Sequence, residues 1–129
     1  MKHEEYKYTE ITGEIIKCAF NVHNVIGNGF REVIYQKSLQ REFSENGLKF
    51  VREFEMPIVY KGHQVGARRV DFLVENKVLI EIKALCELEI IHISQTINYL
   101  KVFNIEVGLL INFGSPRLQF KRLVRTNKK

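Results

Sequence analysis

Apolar residues recur along this chain in two rhythms, and the change between them marks its elements. Ile11, Ile15, Cys18, Ala19, Val22 and Ile26 form a stripe at helical spacing. That spacing predicts a helix over 9–26, with Thr9 as its N-cap and Gly27-Asn28-Gly29 as its stop. A second helix is expected from about Arg31 to Asn46, facing the core with Tyr35, Leu39 and Phe43 and capped by Gly47. From Lys49 to Tyr60 the rhythm becomes alternating, with Phe50, Phe54, Met56, Ile58 and Tyr60 on one side. A turn at Lys61-Gly62-His63-Gln64 leads to a strand from Val65 to Val74, and Glu75, Asn76 and Lys77 join that strand to another ending at Lys83. The third helix is expected to bury Ile90, Ile93, Ile97 and Leu100, with His92, Gln95 and Tyr99 on another side. Glu106 to Phe113 is a buried-type strand, Gly114-Ser115-Pro116 a turn, and Leu118 to Val124 a closing strand. The order ααβββαββ predicts an α/β fold, a mixed sheet flanked by helices. A helix after a central strand begins a crossover to a parallel neighbour.

Composition narrows the class. With 129 residues, 45% hydrophobic and 27% charged, the chain is expected to form one globular domain over 1–129, with a basic C-terminal tail from about residue 121. No apolar run approaches a membrane span, and MKHEEYKYTE lacks a signal-peptide apolar segment, so the cytoplasm is the expected location and no membrane partner is expected. Cys18 and Cys86 stand far apart with no CxxC, which predicts reduced thiols rather than a disulfide framework or a zinc site. His23 is a lone helical histidine, and no role is assigned to it. The net charge of +5, with Arg117, Lys121, Arg122, Arg125, Lys128 and Lys129 near the end, is compatible with a polyanionic partner. Basic tails also serve solubility.

The chemistry concentrates in Arg69–Lys83, RVDFLVENKVLIEIK, where Asp71, Glu81 and Lys83 interrupt apolar strands. With an odd-numbered loop centred on Asn76, Val74 opposes Val78, Phe72 opposes Ile80 and Asp71 opposes Glu81, and Lys83 points the same way as Glu81. A two-residue loop would instead separate the carboxylates onto opposite faces. Like charges placed opposite each other need neutralising. A Mg2+ ion held by Asp71, Glu81 and the main-chain carbonyl of Ile82 would do so, with Lys83 beside the attacking water, and that is a phosphodiesterase design. The alternative is a structural ion-pair network in which Lys83, Arg68 or Arg69 neutralises the two acids. Glu32 lies one turn before Tyr35 at the start of the second helix, where an acid also complements the helix dipole.

Asp71 with Glu81-Ile82-Lys83 resembles the D…(D/E)xK signature of the PD-(D/E)XK nuclease superfamily, whose core is restriction-endonuclease-like. Gly29-Phe30-Arg31-Glu32-Val33-Ile34-Tyr35 looks like the G-x-x-E-x-x-Y motif of a small family within it. The signature's proline is absent, Val70 standing in its place. The resemblance implies metal-binding carboxylates at Asp71 and Glu81, a lysine near the attacking water at Lys83, and an acid near the metal at Glu32. It implies a polar residue presented by the following helix at Gln95, with Gly29 and Tyr35 shaping the start of the second helix. The expectation is a Mg2+-dependent nuclease, with Mn2+ as a substitute, acting on DNA. Arg68, Arg69, Arg117, Lys121 and Arg122 are the candidate nucleic-acid contacts. The rivals are a binding or interaction module that retains the fold without turnover, and a homodimer assembled through the third helix.

Overall fold

The computed structural model describes residues 7–125; Lys128 and Lys129 of the basic tail lie outside them. Its elements are α1 (Thr9–Ile26), α2 (Glu32–Glu45), β1 (Phe50–Tyr60), β2 (His63–Val74), β3 (Val78–Lys83), α3 (Ile90–Phe103), β4 (Val107–Asn112) and β5 (Gln119–Val124). The sheet order is β1-β2-β3-β4-β5, with β3 and β4 parallel and every other pair antiparallel. The crossover through α3 therefore joins parallel neighbours, as the pattern predicts. Among the described residues no helix is long and apolar enough to cross a membrane. Both cysteines are free, and burial pushes the Cys18 thiol up to about 11.

Helices α1 and α2 cover one face of the sheet. Ile15, Cys18, Ala19 and Val22 of α1 and Tyr35, Leu39 and Phe43 of α2 pack on Phe72, Ile80, Ile82, Leu109 and Ile111. Helix α3 covers the other face, where Leu100 packs with Val70 and Leu79. A Cβ on Gly108 would lie 2.9 Å from Leu100 Cδ2, so the missing side chain is what lets this helix approach β4.

Three local expectations are corrected. Thr9 is the first helical residue rather than the cap; Tyr8 takes that place with φ 58° and no side-chain cap bond forms. The first hairpin turns on Lys61 and Gly62 alone, both at positive φ, so Tyr60 pairs with His63 and β2 begins two residues early. On α3 the buried residues are Thr96 and Leu100, while Ile90 and Ile97 are exposed and Ile93 is half-buried. The apolar patch under α3 is small, and the helix meets it through Thr96, Tyr99, Leu100 and Phe103 instead.

A further feature decides the site. Phe50 and Phe72 face α1 and α2, whereas Phe54, Met56 and Val70, of the same parity, face α3. An unbroken strand pair keeps one parity on one face, so the hairpin changes face between these residues. The change falls at Glu53, which has φ 53° and is skipped in the pairing between Arg52↔Phe72 and Phe54↔Val70. The residue across from Glu53 is Asp71.

Candidate functional site

The β2–β3 hairpin has the register that the odd loop predicts: Val74↔Val78, Leu73↔Leu79 and Phe72↔Ile80. Glu75 and Asn76 both take positive φ, and Lys77 N–H donates to the Val74 carbonyl at 2.9 Å. That is a two-residue turn geometry, and Lys77 follows as the extra residue that keeps the spacing odd. Paired residues end at Phe72↔Ile80, one step before Asp71 and Glu81 would meet. There Ile82 N–H donates to Asp71 Oδ2 at 2.7 Å and Asp71 N–H reaches Glu81 Oε2 at 3.4 Å. The Lys83 carbonyl accepts from Phe113 N–H at 2.9 Å on the β4 side. Main-chain groups alternate along a strand, so the Ile82 carbonyl faces the other way, toward the opened gap that holds Asp71.

The two carboxylates are held from different sides. Gln36 of α2, buried, donates from Nε2 to Asp71 Oδ1 at 2.8 Å. Arg68 of β2 donates from Nη2 to Glu81 Oε1 at 2.7 Å, and its guanidinium lies 4.8 Å from the centre of the Tyr99 ring of α3. Glu81 is almost fully buried, and burial, reinforced by the Asp71 charge against the pull of Arg68 and Lys83, pushes its carboxyl up to about 7. Burial also raises Asp71, against hydrogen bonds at Ile82 and Gln36 and the charges of Arg68 and Lys83. Glu32, exposed at the rim, is raised by desolvation and lowered by the Lys83 charge, with a backbone hydrogen bond at Ala84. Lys83 thus acts on all three acids, which places Glu32, Asp71, Glu81 and Lys83 in one electrostatic neighbourhood.

The chain around these groups explains their placement. Tyr35 hydroxyl donates to the Gly27 carbonyl at 2.7 Å and accepts from Phe30 N–H at 3.2 Å, closing the loop that feeds α2. Its ring stacks on Phe113 with centroids 4.6 Å apart. Gly29 sits in that loop with φ 107°, a conformation that side chains resist. On the other side of Lys83, buried Asn112 accepts from Leu85 N–H at 2.8 Å and donates to the Leu85 carbonyl at 3.0 Å. Ser115 hydroxyl donates to the Cys86 carbonyl, and His23 Nε2 lies 3.1 Å from the Ser115 carbonyl, a structural use of that histidine. Phe30, Arg31, Glu32, Val33 and Ala84 line an open depression at the rim.

Among the described residues, the remaining candidates, Arg68 excepted, make no hydrogen bond or ion pair with the acids. Gln95 is exposed, one turn before Tyr99 on α3, and makes no hydrogen bond to the carboxylates. Arg122 is bonded to Thr12 Oγ1 at 3.4 Å and to the Lys7 carbonyl, tying β5 to the start of α1. Arg69, Arg117 and Lys121 are exposed. Arg68, a candidate phosphate contact by sequence, here serves Glu81, one of the neutralisations that the ion-pair alternative names. Sequence reasoning missed Gln36 and Asn112. Gln36 follows Glu32 by four and so shares its helix face, and Asn112 is the one polar residue within VGLLINF; both signals were present in the pattern.

Among the described residues no three His, Cys, Asp or Glu side chains form a ready metal cluster. The donor set here is smaller and all oxygen: two carboxylates and the Ile82 carbonyl, which suits a hard divalent cation that keeps several waters. The buried side-chain atoms without a partner among the described residues are Gln36 Oε1 and Arg68 Nε, and both belong to the residues gripping those carboxylates. Arg68 Nε is a donor and gives a cation nothing, but two carboxylates, a main-chain carbonyl and the unpartnered Gln36 Oε1 together make an oxygen-rich place that fits such an ion.

Comparison with known proteins bears on the fold and the family. No curated protein matches the chain. Among solved structures, the crystal structure of SSO0001 is similar with a TM-score of 0.58 at 20% identity, covering 98% of this chain and 61% of that one. This chain thus spans less than two thirds of that protein, and at such identity the likeness speaks for the fold. The family model of the PD-(D/E)XK nuclease superfamily matches residues 9–123. Nearly the whole chain is covered, and the chain belongs to the PD-(D/E)XK nuclease superfamily.

Proposed function

We propose that this protein is a metal-dependent nuclease that hydrolyses phosphodiester bonds in DNA, of the G-x-x-E-x-x-Y kind. The observation that carries the reading is the opened end of the β2–β3 ladder, where Asp71, Glu81 and Lys83 gather and Glu32 joins them from α2. Asp71, Glu81 and the Ile82 carbonyl would hold Mg2+ or, as a substitute, Mn2+, with Glu32 in its outer shell. When bound, the cation supplies Lewis acidity, which lowers the pKa of a water and offsets charge on phosphate oxygens. Lys83 places a positive charge beside the two acids, where it steadies negative charge developing on the phosphate. Burial of Glu81 and half-burial of Asp71 lower the local dielectric and strengthen each of these interactions. Arg69, Arg117 and Lys121, exposed and basic, support contacts to a phosphate backbone. Exposed Ile90, Ile91 and Ile97 on α3 support pairing of two copies through that helix, which sedimentation tests.

The test is a cleavage assay on single- and double-stranded DNA and RNA, with Mg2+ or Mn2+, beside Asp71→Ala and Lys83→Ala. Both substitutions should abolish cleavage while the fold persists; undiminished cleavage by both variants refutes the assignment.

The Arg68–Glu81 ion pair favours a second reading, a nucleic-acid-binding or interaction module in which protein charge has replaced the cation. Titration with Mg2+ or Mn2+ separates the two. The module reading expects no uptake that depends on Asp71 and Glu81, and salt-sensitive DNA binding that survives loss of those carboxylates.

A further inference from the structure

The two carboxylates of the site are held by different kinds of partner. Glu81 has a cation, Arg68. Asp71 has a neutral amide, Gln36 Nε2 on Oδ1, and a main-chain N–H from Ile82 on Oδ2. Donors on both oxygens leave that carboxylate little freedom to rotate. A lysine or arginine at position 36 could also donate there, but its charge would compete with any cation. With a neutral donor, the neighbourhood keeps three acids, Glu32, Asp71 and Glu81, against two bases, Arg68 and Lys83, an excess of one negative charge when all are ionised.

The second observation is the other end of the same amide. Gln36 is 5% exposed, and its Oε1 is buried with no hydrogen-bond partner. Buried amide oxygens are normally satisfied, and one left bare calls for an explanation, an ion or ordered water among them. Resting on the reading of this place as a cation site, we propose that Gln36 is its positioning residue: the amide nitrogen sets the direction of Asp71, and the amide oxygen is left for donors that a hydrated divalent cation brings. Partners that orient a metal-binding group tune affinity without touching the metal. Mg2+ needs a near-ideal octahedral arrangement, whereas Ca2+ accepts a looser one. Loss of orientation alone should therefore discriminate between cations.

The experiment is calorimetric titration of Mg2+ and then Ca2+ into the folded chain and into Gln36→Leu, Gln36→Met and Asp71→Ala, with urea unfolding of each in EDTA. Gln36→Met preserves side-chain length and serves if the leucine variant folds poorly. Loss of Mg2+ affinity by about 10- to 100-fold in the Gln36 variants, with a much smaller loss for Ca2+, is the expected result. Mg2+ affinity equal to that of the unaltered chain, or an equal loss for both ions, overturns the proposal. If Asp71→Ala takes up Mg2+ as the unaltered chain does, or if the unaltered chain takes up none, the cation-site reading itself has failed and this inference falls with it.

Discussion

Glu81→Gln isolates the electrostatic strain of the site. The carboxyl of Glu81 rises from 4.5 to about 7 because it is buried and faces Asp71. At about 1.4 kcal/mol per pKa unit, keeping it ionised in the cation-free fold costs roughly 3 kcal/mol. The sign follows from proton counting. Between pH 4.5 and about 7 the folded chain holds a proton that the unfolded chain has released, so stability falls as pH rises through that window. Glutamine has the shape and the neutrality of the protonated acid, and its carbonyl can still accept from Arg68. The variant should therefore be near the unaltered chain in stability at pH 5 and more stable at pH 8, the gap widening by roughly 2–3 kcal/mol. Urea unfolding at both pH values in EDTA measures it. Saturating Mg2+ should then stabilise the unaltered chain at pH 8, where the carboxylate is free to bind, and leave the variant unchanged. A gap that stays constant from pH 5 to pH 8, or a variant less stable at pH 8, would refute the account of Glu81 as a carboxylate strained by burial.

Three further outcomes test the scaffold. Tyr35→Phe removes the donor to the Gly27 carbonyl and the acceptor for Phe30 N–H, and should cost about 1–3 kcal/mol in urea unfolding while weakening any Mg2+-dependent activity through the placement of α2. Gly114→Ala would put a Cβ 2.3 Å from the Leu85 nitrogen and 2.4 Å from its carbonyl oxygen, so the chain after Lys83 must shift; a loss of roughly 3 kcal/mol in the same assay is expected. At Glu53 the usual strand preference should reverse. With φ 53°, Glu53→Gly should be more stable than Glu53→Ala by about 1 kcal/mol, and an alanine variant equal to or better than glycine removes the basis for placing the face change there.

Much of the molecule was legible in its sequence. Helical and alternating spacing gave all eight elements in order, because burial of one face imposes a period of 3.6 or 2 on the residues that pack. Asp71, Glu81 and Lys83 stood out because charge inside apolar strands is costly and needs a reason. The sequence offered two loop lengths at Glu75–Lys77, and the structure has the odd one, which sets the register. The buried stripe of α3 was misread because isoleucine and valine recur on several sides of that helix, and the choice among its faces depends on which surface of the sheet is vacant.

The pattern of residues by itself determined the elements, their order and the pairing of β2 with β3. It could not determine that Phe72 and Val70 face opposite sides of the sheet, because their parity is the same and the alternation continues through them. Nor could it show that Gln36 grips Asp71 or that Arg68 grips Glu81, contacts 35 and 13 residues apart in sequence. Those lie where the β1–β2 hairpin changes face at Glu53 and Asp71 and the β2–β3 ladder ends, with partners reaching in from α2 and from the side of α3. Spacing records which residues share a face as long as a strand is regular; where the backbone departs from regularity, only the packing of the whole sheet decides where a side chain goes.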